Sequence, residues 1–299
     1  MERFLQYFFD GLSQGSIYAL LALGLVIIYR GSGHLNFAQG EMAMISAFIA
    51  WWYADLGLSP WLAVGVAAVT AFVVAMAIER FIIRPIGKKS PFAVVVAAIG
   101  LFLGLNALAP FAWKVAIPEA YEPLFPNEST DFVRIGGAEW REQNIGVLFV
   151  LAVTAGVLYL LFQKTRFGLA MRAVASNPES SPLVGIRTGQ VLAVSWGLAA
   201  AVGAIGGAMV ASLRGNVDAS MMFTIFFAAT AAATLGGYDS LLGAVFGGIV
   251  LGVFENMVAG YQPDAIGQEL KGVVSLVVIL AVLLIRPSGL FGSQRVERV

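Results

Sequence analysis

The chain has 299 residues, 59% of them hydrophobic and only 12% charged, with a mean hydropathy of +0.84. An ordinary soluble domain carries roughly 25% charged residues, so this composition excludes that class and indicates an integral membrane protein. Its 18 basic and 18 acidic residues cancel and are dispersed, which excludes a nucleic-acid binder, and the absence of cysteine excludes disulfides and thiolate metal sites.

The amino-terminal stretch lacks a basic leader and a cleavage site, and its apolar part is too long for a signal peptide, so 9–29 is read as a retained first span. The polar, glycine-rich stretch RGSGHLNFAQGE follows, holding the single histidine, His34, with no partners of a metal site beside it. The apolar run after it, 39–54, is short, which leaves open a full span or a re-entrant or broken helix. Asn36, Gln39 and Glu41 cluster within about one and a half helical turns at its start. They are read either as a cap plus a helix-dipole partner or as pore-lining groups.

Spans near 61–78 and 91–112 follow, the second carrying Asn106, whose amide suits an interhelical hydrogen bond. The loop 113–143 is acidic and proline-bearing, and is read as a small ordered cap or a solvated linker. After a span at 145–162, the segment 164–190, KTRFGLAMRAVASNPESSPLVGIRTGQ, interrupts the apolar pattern. Its first part, 169–176, predicts a helix ending at Asn177, and Pro178 or Pro182 begins a second short piece. Ala170, Ala173 and Val174 give that helix an apolar face ringed by Arg166, Arg172 and Arg187. It is read as a docking surface for a cytoplasmic partner, the alternative being a helix lying on anionic lipid.

Spans near 191–212, 219–236, 240–259 and 268–285 complete the chain, with Arg214 and Asp218 read as capping an outer turn or facing a docking partner. Glu255 and Asn256 fall about 15 residues into the eighth span, at a solvated helix end or a vestibule. The expectation is an all-α polytopic bundle of eight or nine transmembrane helices, one domain over 1–299. Nine spans put 12 of the 18 basic residues on one side, namely Arg30, Arg80, Arg84, Lys88, Lys89, Lys164, Arg166, Arg172, Arg187, Arg286, Arg295 and Arg298. The positive-inside rule then makes the 164–190 loop and the carboxyl terminus cytoplasmic, with the amino terminus outside. Glycines four apart, 100/104, 203/207, 243/247 and 248/252, suit close helix packing.

The chain carries no ATPase motif of its own. The one superficial candidate, Gly87-Lys88-Lys89-Ser90, has Ile82 and Lys89 where a P-loop needs glycine and Ser or Thr. Energy must come from an ion gradient or another subunit, and a gradient-driven carrier would carry more titratable residues inside its spans.

TRFGLAMRAVASNPESSPLVGI and the following AAAVGAIGGAMVA resemble the coupling-loop region of permease subunits in the branched-chain amino acid ABC transporter family, of the LivH type. LNFAQGEMAMISAF, IERFIIRP, VAAIGLFLGLNALA, LGGYDSLLGAVFGGIVLGVFENM and KGVVSLVVILAVLLIRPSGLFG are similar to that family in order and spacing. The resemblance implies a permease in the cell inner (plasma) membrane, paired with a second homologous permease, two cytoplasmic ATPases and an external substrate-binding protein. It implies that Gly168, Arg172, Ala173, Asn177, Gly185 and Ile186 couple to the ATPase. ATP and Mg would be bound by the partner ATPases, with no cofactor in this chain. Asn36, Gln39, Glu41, Asn106 and Glu255 are the candidates for a translocation path or gate. Urea or short amides are the alternative cargo, and a gradient-driven carrier the alternative mechanism.

Overall fold

A computed structural model describes residues 1–87, 90–114, 118–177, 180–262 and 270–292. Lys88, Lys89, Pro178, Arg295 and Arg298 lie outside the described residues. Each of the nine apolar segments falls on a helix: α1 (Glu2–Ser32), α2 (Gln39–Asp55), α3 (Pro60–Ile78), α5 (Pro91–Trp113), α6 (Glu142–Lys164), α8 (Thr188–Arg214), α9 (Phe223–Gly236), α10 (Leu241–Tyr261) and α11 (Leu270–Ile285). A π-helical turn (Glu79–Ile83) and α4 (Arg84–Gly87) extend α3. Outside the bundle lie α7 (Arg166–Ser176) and a 3-10 turn (Ser181–Val184). Among the described residues, six helices are long and apolar enough to cross a membrane: α1, α3 with its extension, α5, α6, α8 and α10.

The sequence reading missed the strands. The 113–143 loop folds as an antiparallel hairpin of β2 (Phe132–Ile135) and β3 (Ala138–Arg141), while β1 (Glu119–Ala120) pairs with β4 (Asn216–Val217) after α8. From residue 118 onward this loop is an ordered cap. Trp140 stacks on Phe9 of α1 at 4.7 Å, and the Leu124 N–H donates to Ser212 Oγ at 2.9 Å. The Glu139 N–H donates to Gln6 Oε1 at 3.0 Å, which puts the start of α1 at the cap end.

The hydrophobic centre is α1. Leu20, Leu21, Ala22 and Leu23 have no exposed surface, as expected of a helix apolar all round and enclosed by its neighbours. Its approach to α10 is closest at Gly15 and Gly252, where a built Cβ on Gly252 would lie 2.3 Å from the Gly15 backbone. Three of the four glycine pairs are used in this manner inside the bundle, against α1, α2 and α9. Gly100 and Gly104 on α5 instead face open space, on the helix with the least buried apolar window of the six.

The contacts repeat with inverted topology. The heaviest helix pairings are α1 with α10 and α3 with α8, α1 meets α9 as α8 meets α2, and α5 rests on α2 as α11 rests on α9. Both α1 and α8 end on a left-handed glycine, Gly33 (φ 72°) and Gly215 (φ 69°), before a non-helical descent into the next helix. Because α1 runs away from the cap and α8 runs toward it, the two descents enter from opposite ends. Such inverted repeats place broken helices at the middle of a bundle, where irregular backbone is tolerated only inside protein.

Candidate functional site

The descent after α1 delivers α2 into the interior. Gln39, its first residue, donates from Nε2 to the Ala199 carbonyl at 2.9 Å and packs beside Gly24 and Gly203, midway along α8. Thus the 39–54 segment is a helix that begins at depth, the broken-helix alternative of the two. Asn36, Gln39 and Glu41 are each at most 1% exposed. The expected Asn36 helix cap does not form, because α2 has no side-chain cap. Asn36 Oδ1 instead accepts from the Ala38 N–H at 3.1 Å, and its Nδ2 reaches Gln39 Oε1 and Met42 Sδ, both at 3.4 Å. Asn106 of α5 ties this cluster to the second descent: its Nδ2 donates to Glu41 Oε2 at 3.2 Å and to the Ala219 carbonyl at 3.0 Å. One amide thereby links α5, α2 and the 215–222 segment.

Glu255 is not at a solvated helix end. It is 1% exposed and accepts from Tyr18 of α1 at 2.7 Å and from the Ser275 hydroxyl of α11. Two hydroxyl donors offset part of the cost of burying a carboxylate. A cavity of about 750 Å³ opens beside this network, with Gln14, Tyr18, Glu255 and Ser275 on its polar side and Phe223, Phe227 and Leu276 on its apolar side. The uncapped first turn of α9 adds Thr224 to the lining. Glu41 and Glu255 together give the interior more titratable groups than the sequence reading allowed. A polar path with an apolar wall suits a small amphiphilic solute.

At the other end, α6 turns into α7 at Thr165, whose Oγ1 accepts from the Gly168 N–H at 3.1 Å. Gly168 is buried where a Cβ would strike the Phe162 backbone, so its role is to let α6 and α7 turn tightly. Arg172 closes the corner by donating to the Phe162 carbonyl and to Gln163 Oε1. The inward face of α7 is Gly168, Met171 and Val174, while Ala170 and Ala173 are half-buried. Asn177 is exposed at the helix end, as expected, and its carbonyl accepts from Ser181 Oγ at 2.7 Å. The 3-10 turn then projects Leu183, 85% exposed, and Val184, 75% exposed, before stopping at Gly185 with φ 82°, a conformation natural to glycine. Ile186 turns back and is half-buried.

The profile of the family described as "Branched-chain amino acid transport system / permease component" matches residues 7–283. The permease LivH of a high-affinity branched-chain amino acid transport system in Salmonella typhimurium is 31% identical over 313 residues, covering 99% of this chain and 98% of that protein. BraD, of the same description, from Pseudomonas aeruginosa is 31% identical over 310 residues, with the same coverage. The chain belongs to this permease family. Among solved structures, PsaBC from Streptococcus pneumoniae in complex with Fab superimposes with a TM-score of 0.51 at 14% identity, covering 95% of this chain and 92% of that one, a likeness of fold.

The permease's candidate residues therefore form three groups. Asn36, Gln39, Glu41 and Asn106 make one connected interior cluster, Glu255 anchors a second beside the cavity, and the six residues of the α7 segment lie at the far end from the cap. Sequence reasoning missed Tyr18 and Ser275, which donate to Glu255, and nothing in their local sequence marks them. It also missed the ion pair of Arg84 with Glu79 at 2.5 Å, which joins α4 to the start of α8 through the Gly189 carbonyl. A charged residue inside IERFIIRP was the available signal for that pair.

Proposed function

We propose that this chain is one membrane subunit of an ATP-binding-cassette importer that moves branched-chain amino acids delivered by an external binding protein. In this reading it forms a single domain of eight or nine transmembrane helices in the inner membrane, with the cap outside and 164–190 and the carboxyl terminus cytoplasmic. A second homologous permease would complete the path, and two ATPase subunits holding ATP and Mg would supply the energy. The observation that carries the reading is the α7 segment of a chain in this permease family: an amphipathic helix followed by a turn that lifts Leu183 and Val184 clear of the bundle. Exposed apolar side chains beyond the ends of spans suit burial against a soluble partner.

Arg172, Ala173, Asn177, Gly185 and Ile186 are then coupling residues, with Gly168 shaping the corner. ATP binding need only bias two access states that differ by a few kcal/mol, for which no chemistry in this chain is required. Cargo would cross along the Glu255 cavity and the Asn36, Gln39, Glu41 and Asn106 cluster, an amphiphilic route for a zwitterion with an apolar side chain.

ATP-dependent uptake of radiolabelled leucine into proteoliposomes, with the permease, its partner permease, both ATPases and the binding protein, tests the reading. Leu183→Asp is expected to abolish uptake and ATPase recruitment while the chain stays folded, since Leu183 is 85% exposed. Leucine flux without ATPases, or undiminished flux in Leu183→Asp, would overturn it.

A further inference from the structure

The end of the bundle that carries α7 holds a second cavity, about 610 Å³ in volume, between α1, α7, the turn from α9 to α10 and the segment after α11. Tyr29, Arg30, Arg172, Ser176, Tyr238 and Asp239 supply its polar lining. Arg30 is half-buried, lies over the Phe162 ring at 5.8 Å, and makes no hydrogen bond or ion pair among the described residues. Its guanidinium feels both the Asp239 carboxylate and the Arg172 guanidinium. Arg172 uses a single nitrogen, Nη1, for its bonds to Phe162 and Gln163, out of the five N–H donors a guanidinium carries. The Tyr29 hydroxyl has no partner among the described residues, whereas that of Tyr238 is held by Thr230 and Thr234.

Among the described lining residues, two guanidinium groups repel each other and one carboxylate offsets only half of that charge. A carboxylate is the anion whose two oxygens match the guanidinium fork, and Asp239 on the facing turn is an acceptor for a cation. We infer that this cavity is a second amino-acid site, with the α-carboxylate on Arg30 and Arg172 and the α-ammonium at Asp239. Ala175 and Pro287 form an apolar wall for the side chain. The inference rests on the amino-acid reading of the cargo and on α7 as the coupling element. An occupant would join α7, through Arg172 and Ser176, to the end of α1 and to the α9–α10 turn. Since α7 must move for coupling, amino acid accumulated on that side would hold it still and slow further import.

The test measures equilibrium binding of radiolabelled leucine to the permease–ATPase complex in nanodiscs without binding protein. Saturable binding is expected, displaced by other α-amino acids but not by leucinamide, isovalerate or inorganic phosphate. Arg30→Gln and the isosteric Asp239→Asn should each weaken it about tenfold to a hundredfold, the loss of one charge-assisted hydrogen bond. In proteoliposomes loaded with ATP, adding unlabelled leucine to the lumen should slow initial uptake for the wild type but not for Arg30→Gln. Absence of saturable binding, binding as tight in both variants as in the wild type, or displacement by phosphate but not by other α-amino acids would overturn the site. Failure of uptake by ATP-loaded vesicles that hold no luminal leucine would instead remove the leucine-import reading, while amino-acid binding weakened by Arg30→Gln would still uphold this site.

Discussion

Glu255 shows how much a single buried side chain depends on its partners. Tyr18 and Ser275 donate to its two oxygens, and each donor comes from a different helix. Tyr18→Phe removes one donor and no volume, so it should cost about 1.5–3 kcal/mol, the range for a hydrogen bond to a charged group. A thermal-stability assay in detergent checks this, and an unchanged midpoint would mean the carboxylate is satisfied otherwise. Gly168 makes the complementary case for a residue whose value is its lack of a side chain. Gly168→Trp is expected to splay the α6–α7 corner because the Phe162 backbone already occupies the Cβ position. Its effect on uptake would then track lost folding, which is why Leu183→Asp is the cleaner probe of docking.

At the scale of elements, helix ends are fastened by polar groups and helix flanks by absent ones. Arg84 joins Glu79, only 2% exposed on its side chain, to the Gly189 carbonyl where α8 begins. Arg84→Ala leaves that carboxylate buried and uncompensated, with an expected loss of about 3–5 kcal/mol and loosening of the link between α4 and α8. Protease cleavage near 188–190 in the variant, absent in the wild type, is the predicted readout. The α1–α10 seam is held by backbone proximity instead. Gly248→Val should cost about 1–3 kcal/mol by overpacking against Ala19, visible as a lower melting temperature. Full retention of stability would mean the two helices are able to separate.

For the molecule as a whole, orientation is the property that links fold to transport. The start of α1 and the hairpin cap share one end, and α7 with the α9–α10 turn shares the other. A chain without cysteine allows single-cysteine labelling against a clean background. With a membrane-impermeant maleimide, Glu128→Cys should label in intact cells and Ser180→Cys only after lysis. The reverse pattern would invert the cap and the coupling segment.

The sequence by itself determined where the helices lie and that 164–190 stands apart from them. Those features depend on hydropathy and helix-ending residues within a window of about 20 positions, which local composition reports directly. Only the tertiary structure decided that α2 starts inside the bundle against Ala199, since that follows from space opened by Gly24 and Gly203 on two other helices. It likewise decided that Tyr18 meets Glu255, 237 positions away, and that Arg30, Arg172 and Asp239 face one cavity. Each of those sites is assembled by helix packing, and packing is set by shape complementarity among distant residues that no short window contains.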